Sequence, residues 1–160
     1  MPFGYTGKIL RVDLSRNTTE IEEPDEKVYR TYIGGGALAC YYLLKEQQPG
    51  VDALGPDNTL IFANSVVSGT PAPGFSRYTV SAKSPQTGGF GETEAGGWFG
   101  PELKFAGFDA VIIKGKAAAP VYIWIHDGQA DIKDAGHLWG KELGEVHDTI
   151  CRELGDKQIR

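Results

Sequence analysis

Residues Thr70–Lys104 read TPAPGFSRYTVSAKSPQTGGFGETEAGGWFGPELK, and the organisation of the chain follows outward from them. Six glycines fall between Gly88 and Gly100, with Arg77 and Lys83 just upstream. Arg77–Ala82 alternates as a strand does, and Pro101 opens a segment of helical pattern. Glycine lets a backbone approach a ligand closely and take positive φ, and a helix N-terminus presents unpaired N–H groups to an anion. The combination predicts a mobile or ligand-moulded glycine loop between strand and helix that cradles a phosphorylated group. It matches neither the GxxxxGKS/T phosphate loop nor a GxGxxG after a strand, so those two nucleotide-binding patterns are excluded.

On the N-terminal side, Lys8–Leu14 alternates apolar and polar residues with Ile9 out of step. Thr18–Glu22 supplies a hairpin partner across Ser15-Arg16-Asn17. Asp25–Thr31 reads as a short helix, and Gly34-Gly35-Gly36 as a break. Ala37–Lys45 reads as a helix apolar almost all round and therefore buried, and Pro49–Asn58 as a turn-rich connection leading to a strand at Leu60–Ala63. On the C-terminal side, Ala110–Lys114 and Val121–His126 are strands of β-branched and aromatic residues. Asp127-Gly128 turns the chain into Ala130–Lys133. A final helix from about Glu142 to Leu154 carries Leu143, Val146, Ile150 and Leu154 on one face, with Gly155 as its stop. Many short strands with few helices predict an α+β domain of mainly antiparallel sheet.

The 160 residues fit one domain with a real core, and 41% hydrophobic with 23% charged residues is a globular balance. A net charge of −5 with scattered basic residues argues against a nucleic-acid surface. No apolar run reaches the length of a membrane span, and the N-terminus lacks a signal-peptide pattern, so the expected location is the cytoplasm. Cys40 and Cys151 are the two cysteines and lack CxxC spacing; both read as small buried hydrophobes.

Several blocks together resemble one family. They are GYTGKILRVDLS (Gly4–Ser15), YIGGGALACYYLLKE (Tyr32–Glu46), LIFANSVVSGTPAP (Leu60–Pro73), SRYTVSAKSPQTG (Ser76–Gly88), AGGWFGPELKFAGFDAVIIKGKA (Ala95–Ala117), PVYIWIHDG (Pro120–Gly128) and HLWGK (His137–Lys141). In this order they resemble the N-terminal domain of the tungsten-containing aldehyde:ferredoxin oxidoreductases. The resemblance implies that residues 1–160 form a single, truncated cofactor-binding domain. It also implies a tungsten (or molybdenum) bis-molybdopterin with Mg, and a 4Fe–4S cluster held by domains outside this chain. Ferredoxin and an aldehyde are the implied partners of the full-length enzyme, and a homo-oligomer is allowed. Two cysteines cannot ligate the cluster, which takes four thiolates. The competing reading is a free-standing, non-catalytic pterin-binding module.

The resemblance carries three positions over. Arg77 corresponds to an arginine that reaches the pterin phosphates, which suits a guanidinium able to make two parallel charge-assisted bonds. Gly96 matches a glycine whose backbone lies against the pterin. Glu94 stands where relatives have an asparagine that helps hold Mg between phosphates; it reads equally as a metal ligand or as a solvated loop carboxylate. Gly36 stands where many relatives carry an arginine. Lys83 reads as a solvated strand lysine, Trp98, Phe99, Phe105 and Phe108 as helix-face packing, and Glu22-Glu23 as a solvated strand end. His126, His137 and His147 have no partner at metal spacing.

Overall fold

The computed structural model describes residues 4–160. The predicted first hairpin is present as β1 (Ile9–Asp13) and β2 (Thr18–Glu22), antiparallel, with Ile9 opposite Glu22. Its turn is closed by the Asp13 carboxylate, which accepts the Ser15 and Arg16 amides. Asn17 takes φ 55°, a conformation that asparagine tolerates. Three further strands complete the centre of the domain: β3 (Leu60–Asn64), β4 (Tyr78–Lys83) and, late in the chain, β6 (Ala110–Lys114). A fourth, β5 (Phe90–Ala95), lies inside the glycine-rich stretch.

The six strands form one mixed sheet in the order β2-β1-β6-β3-β4-β5. β1 runs parallel to β6 and the other neighbours are antiparallel, so the domain is α+β with a mainly antiparallel sheet. A separate antiparallel hairpin is made by β7 (Val121–His126) and β8 (Gln129–Asp134).

Both faces of the central strands β1, β6 and β3 are covered, which explains why Ile9 breaks the alternation. Ile9, Ile61, Ala63, Ala110 and Ile112 face α1 (Glu26–Tyr32) and α2 (Gly35–Glu46), packing on Tyr29, Leu38, Ala39 and Tyr42. Leu10, Val12 and Val111 point the other way, onto Leu103 of α3 (Phe99–Phe105), Phe108 and the inner side of the β7–β8 hairpin. Strands buried on two sides need apolar residues at both parities. Each large side chain so removed from water contributes roughly 1.5–3 kcal/mol.

Three local readings are corrected. The glycine-rich stretch is not wholly loop: β5 pairs with β4 from Lys83↔Phe90 to Tyr78↔Ala95. Backbone hydrogen bonds hold this edge strand, so its polar sequence, FGETEA, lacks the alternation that marks a buried one. α3 begins at Phe99, two residues ahead of Pro101, and α2 begins at Gly35, so two of the three glycines belong to its first turn. α2 is also not buried all round, because Leu44 is 82% exposed. The last helix, α4 (Leu143–Leu154), ends at Gly155 in the left-handed conformation, as its sequence predicts.

Asp109, just before β6, ties the start of the chain to this frame. Its carboxylate accepts the Thr6 and Gly7 amides and the Thr6 hydroxyl at 2.8–2.9 Å.

A shelf between β4, β5 and the first turn of α2

The pairing of β4 with β5 sets Thr79 opposite Glu94 and Ser81 opposite Glu92. Strand alternation places these four side chains on one face, the face that carries α2. Two contacts confirm the side. The Thr79 hydroxyl oxygen lies 3.3 Å from the point where a Cβ on Gly35 would stand, and the Glu92 carboxylate occupies the space that a Cβ on Gly36 would need. Gly36 is therefore a close-approach glycine: any larger residue would displace Glu92.

Arg77, one residue before β4, reaches along the same face. Its Nη1 stands 3.4 Å from Glu94 Oε2, with the two side chains 69% and 56% exposed. A pair this open is worth at most about 1 kcal/mol, and most of the guanidinium's donors remain available. Gly96 follows β5, and its nearest neighbour beyond the adjacent residues is the Ser76 hydroxyl, at 3.7 Å from a would-be Cβ. Nothing stands within 4 Å of the same point on Gly97. The fold thus brings Arg77, Glu94 and Gly96 onto one open edge, and Glu92 links that edge to the glycines of α2.

This edge fits a phosphate-bearing group in its donors and its space. Arg77 can turn two N–H groups to phosphate oxygens, and the Gly96-Gly97 backbone leaves room for close approach. Glu94 repels a bare phosphate but supplies the oxygen donor that Mg prefers. A carboxylate here is compatible with a phosphate when a divalent cation stands between them.

The remaining candidates divide. Lys83 Nζ donates to the Val51 carbonyl at 2.5 Å and pins the loop after α2. Phe99 packs on Phe62 and Tyr78 and Phe108 is buried, whereas Trp98 and Phe105 are largely exposed. Cys40 is half-buried, not buried, because α2 keeps an outward side; Cys151 is buried, its Sγ 3.6 Å from His147 Nε2. His137 pairs with Glu153 at 2.7 Å and joins the segment after β8 to α4. Among the described residues no group of three or more His, Cys, Asp or Glu is placed to hold a metal.

The sequence pairs Glu92 with Glu94 without making them a convincing acid–base couple, and their i, i+2 spacing puts both on one face of β5. One feature was misread. Glu22 is not a solvated strand end: it holds Arg11 and accepts the Tyr42 hydroxyl at 2.8 Å. Arg11 also bridges to Glu46, which Lys114 reaches at 2.8 Å. Burial opposes ionisation of Glu46, but the hydrogen bonds from Arg11 and Lys114 outweigh it and bring its pKa down to about 2. A cleft of about 560 Å³ opens beside this network, lined among others by Arg16, Glu46, Asp57 and Lys114. With both signs of charge on its walls it favours neither anion nor cation.

Residues 9–160 match the family described as aldehyde ferredoxin oxidoreductase, N-terminal domain. The chain is 46% identical over 158 residues to the tungsten-containing aldehyde ferredoxin oxidoreductase of Pyrococcus furiosus, covering 99% of this chain and 26% of that protein. It is 37% identical to the aliphatic sulfonate oxidoreductase, WOR-like subunit, of the same organism, over 97% of this chain and 25% of that protein. Among solved structures, the active-site complex BamBC of benzoyl coenzyme A reductase, in complex with 1,5-dienoyl-CoA, superposes with a TM-score of 0.94. That match has 37% identity and covers 99% of this chain and 24% of that one. The chain thus spans about a quarter of the length of these relatives.

Proposed function

The chain belongs to the aldehyde ferredoxin oxidoreductase family, matching its N-terminal domain, and from that premise we propose that it forms the phosphate-holding base of a tungsten–pterin cofactor. The enzyme so built oxidises aldehydes to carboxylic acids in the cytoplasm and passes electrons to ferredoxin. Its 4Fe–4S cluster is held by polypeptide beyond these residues. The observation that carries the reading is Arg77, its guanidinium open on the α2 face of β4 beside Glu94. The aldehyde assignment follows the stronger similarity, 45–47% identity to the aldehyde enzymes against 37% to the sulfonate enzyme.

When bound, the tungsten–pterin group supplies the two-electron redox chemistry. The residues of this chain position it. Arg77 donates two charge-assisted hydrogen bonds to phosphate oxygens. Glu94 would supply a carboxylate oxygen to a Mg ion accompanying the phosphates, whose charge would turn a repulsive carboxylate into an attractive partner. Gly96 and Gly97 let the backbone lie close to the pterin.

The test uses the native polypeptide that contains this chain, isolated from cells grown with tungstate, as wild type and Arg77→Ala. The wild type should carry stoichiometric tungsten and reduce ferredoxin when given an aldehyde. Arg77→Ala should lose most of the metal while its unfolding midpoint stays in place. Equal tungsten in the two proteins would remove Arg77 from the site. A native species of 17.3 kDa without tungsten would instead favour a free-standing pterin-binding module.

A further inference from the structure

The first turn of α2 lies on the same shelf, and its surroundings are unusual for a helix start. The helix is 12 residues long, and its N-cap residue, Gly34, offers no side chain to the first amides. Those amides have no acceptor within the helix and carry the positive end of its dipole. Two hydroxyls of β4 face the α2 side of the sheet, and that of Thr79 lies against this turn. Thr79 is 5% exposed and Ser81 1% exposed, and the Ser81 hydroxyl is buried without a hydrogen-bond partner among the described residues. Buried polar groups are nearly always partnered, so the exception at Ser81, two residues along β4 from Thr79, marks a place where a partner is missing. The Thr79 hydroxyl points at the turn itself, 3.3 Å from the Cβ position of Gly35.

Glu92 is the nearest anion of the chain. Its carboxylate rests against Gly36, directly across the strand pair from Ser81, yet it forms no ion pair and no hydrogen bond among the described residues. It sits beside the site without being held there. Glu94 is the next residue along the same face of β5, so the α2 turn and the Arg77 guanidinium are separated by about one strand repeat, roughly 7 Å.

We propose that the first turn of α2, with Thr79 against it and Ser81 further along β4, is a second oxyanion site that takes a phosphate group, and that Glu92 closes it until that phosphate displaces the carboxylate. The proposal extends the shelf reading above: one phosphate at Arg77 and a second at α2 would anchor a ligand at two points. Glu92 raises the threshold for occupancy, because an incoming phosphate meets a like charge that must swing away. Gly36 is what permits the closed position.

The 160-residue chain, labelled with ¹⁵N, is titrated with inorganic phosphate at constant ionic strength while the amides of Gly35, Gly36 and Ala37 are followed. Wild type, E92Q, E92Q/T79V and E92Q/R77A are compared, and the amide spectrum of each reports whether it is folded. E92Q should bind phosphate at least tenfold more tightly than wild type, with the largest shifts at these three amides. Adding T79V should weaken binding several-fold, whereas adding R77A should leave the first-turn shifts in place. Gly36→Ala, which evicts the carboxylate by filling its space, should reproduce E92Q. Equal affinity in wild type and E92Q, or shifts that avoid the first turn of α2, would overturn the proposal. Either result would leave the tungsten test of Arg77 standing, so the two readings fail separately.

Discussion

Lys104 and Asp109 form an ion pair at 2.6 Å in which the two side chains are only 1% and 2% exposed. Lys104 Nζ also donates to the Gly4 carbonyl at 3.1 Å. With the amides of Thr6 and Gly7 on the same carboxylate, the pair knots the N-terminal segment, the end of α3 and the start of β6. Lys104→Met would leave Asp109 charged and under-compensated in the interior. The expected cost is about 3–5 kcal/mol, read from urea unfolding. A loss below about 1 kcal/mol would mean that the amide donors alone satisfy the carboxylate.

Arg77 is the counter-case. Its contact with Glu94 is long and open to water. Arg77→Ala should therefore change unfolding free energy by less than about 0.5 kcal/mol, in keeping with exposed pairs. A larger loss would place Arg77 in the framework of the fold and weaken any binding role inferred from its variant.

Glu46 makes acid stability readable. Its pKa is about 2 in the folded chain against an ordinary 4.5, so the folded state favours the ionised form. Stability from this group is complete above the ordinary value and is lost as pH falls from about 4.5 through about 2. Glu46→Gln should cost about 1–2 kcal/mol near neutrality, where it loses charge-assisted bonds to Arg11 and Lys114. The gap in urea midpoint between variant and wild type should then close as pH approaches about 2. A gap that stays constant over that range would show that shape, not charge, is what Glu46 contributes.

Gly100 is the tight point between α3 and the β3–β4 pair. A Cβ there would stand 2.8 Å from the Ser76 carbonyl oxygen and 3.1 Å from Asn64 Oδ1. Alanine would gain about 1 kcal/mol in helix propensity, but overpacking against a fixed carbonyl costs about 1–3 kcal/mol. Gly100→Ala should thus lower the melting temperature and shift the amide signals of Ser76 and Arg77. A raised melting temperature would show that α3 can slide away from β4 at little cost.

Legibility in the sequence followed the physics of each segment. β1 was readable from its alternation, and the misfit of Ile9 was the trace of a sheet covered on both faces. β5 was hidden because an edge strand is held by backbone hydrogen bonds, for which FGETEA carries no side-chain pattern. Arg77 and Glu94 were singled out through family resemblance; their contact depends on the β4–β5 register, which no local pattern encodes. Glu22 looked solvated because its partners, Arg11 and Tyr42, come from separate elements. The Glu92–Gly36 contact was illegible for the same reason: it joins two segments more than fifty residues apart in a chain of 160.

The parallel pairing of β1 with β6 has a consequence for how the protein is made. The Thr6 amide finds its acceptor, Asp109, 103 residues later, and β1 meets β6 over a nearly equal interval. A ribosome adding roughly 5–20 residues per second needs several seconds to deliver that partner. Throughout this time the nascent β1 presents Ile9 on one side and Leu10 with Val12 on the other, with neither cover complete. Its losses to aggregation will therefore follow elongation speed and chaperone supply more closely than the stability of the finished domain.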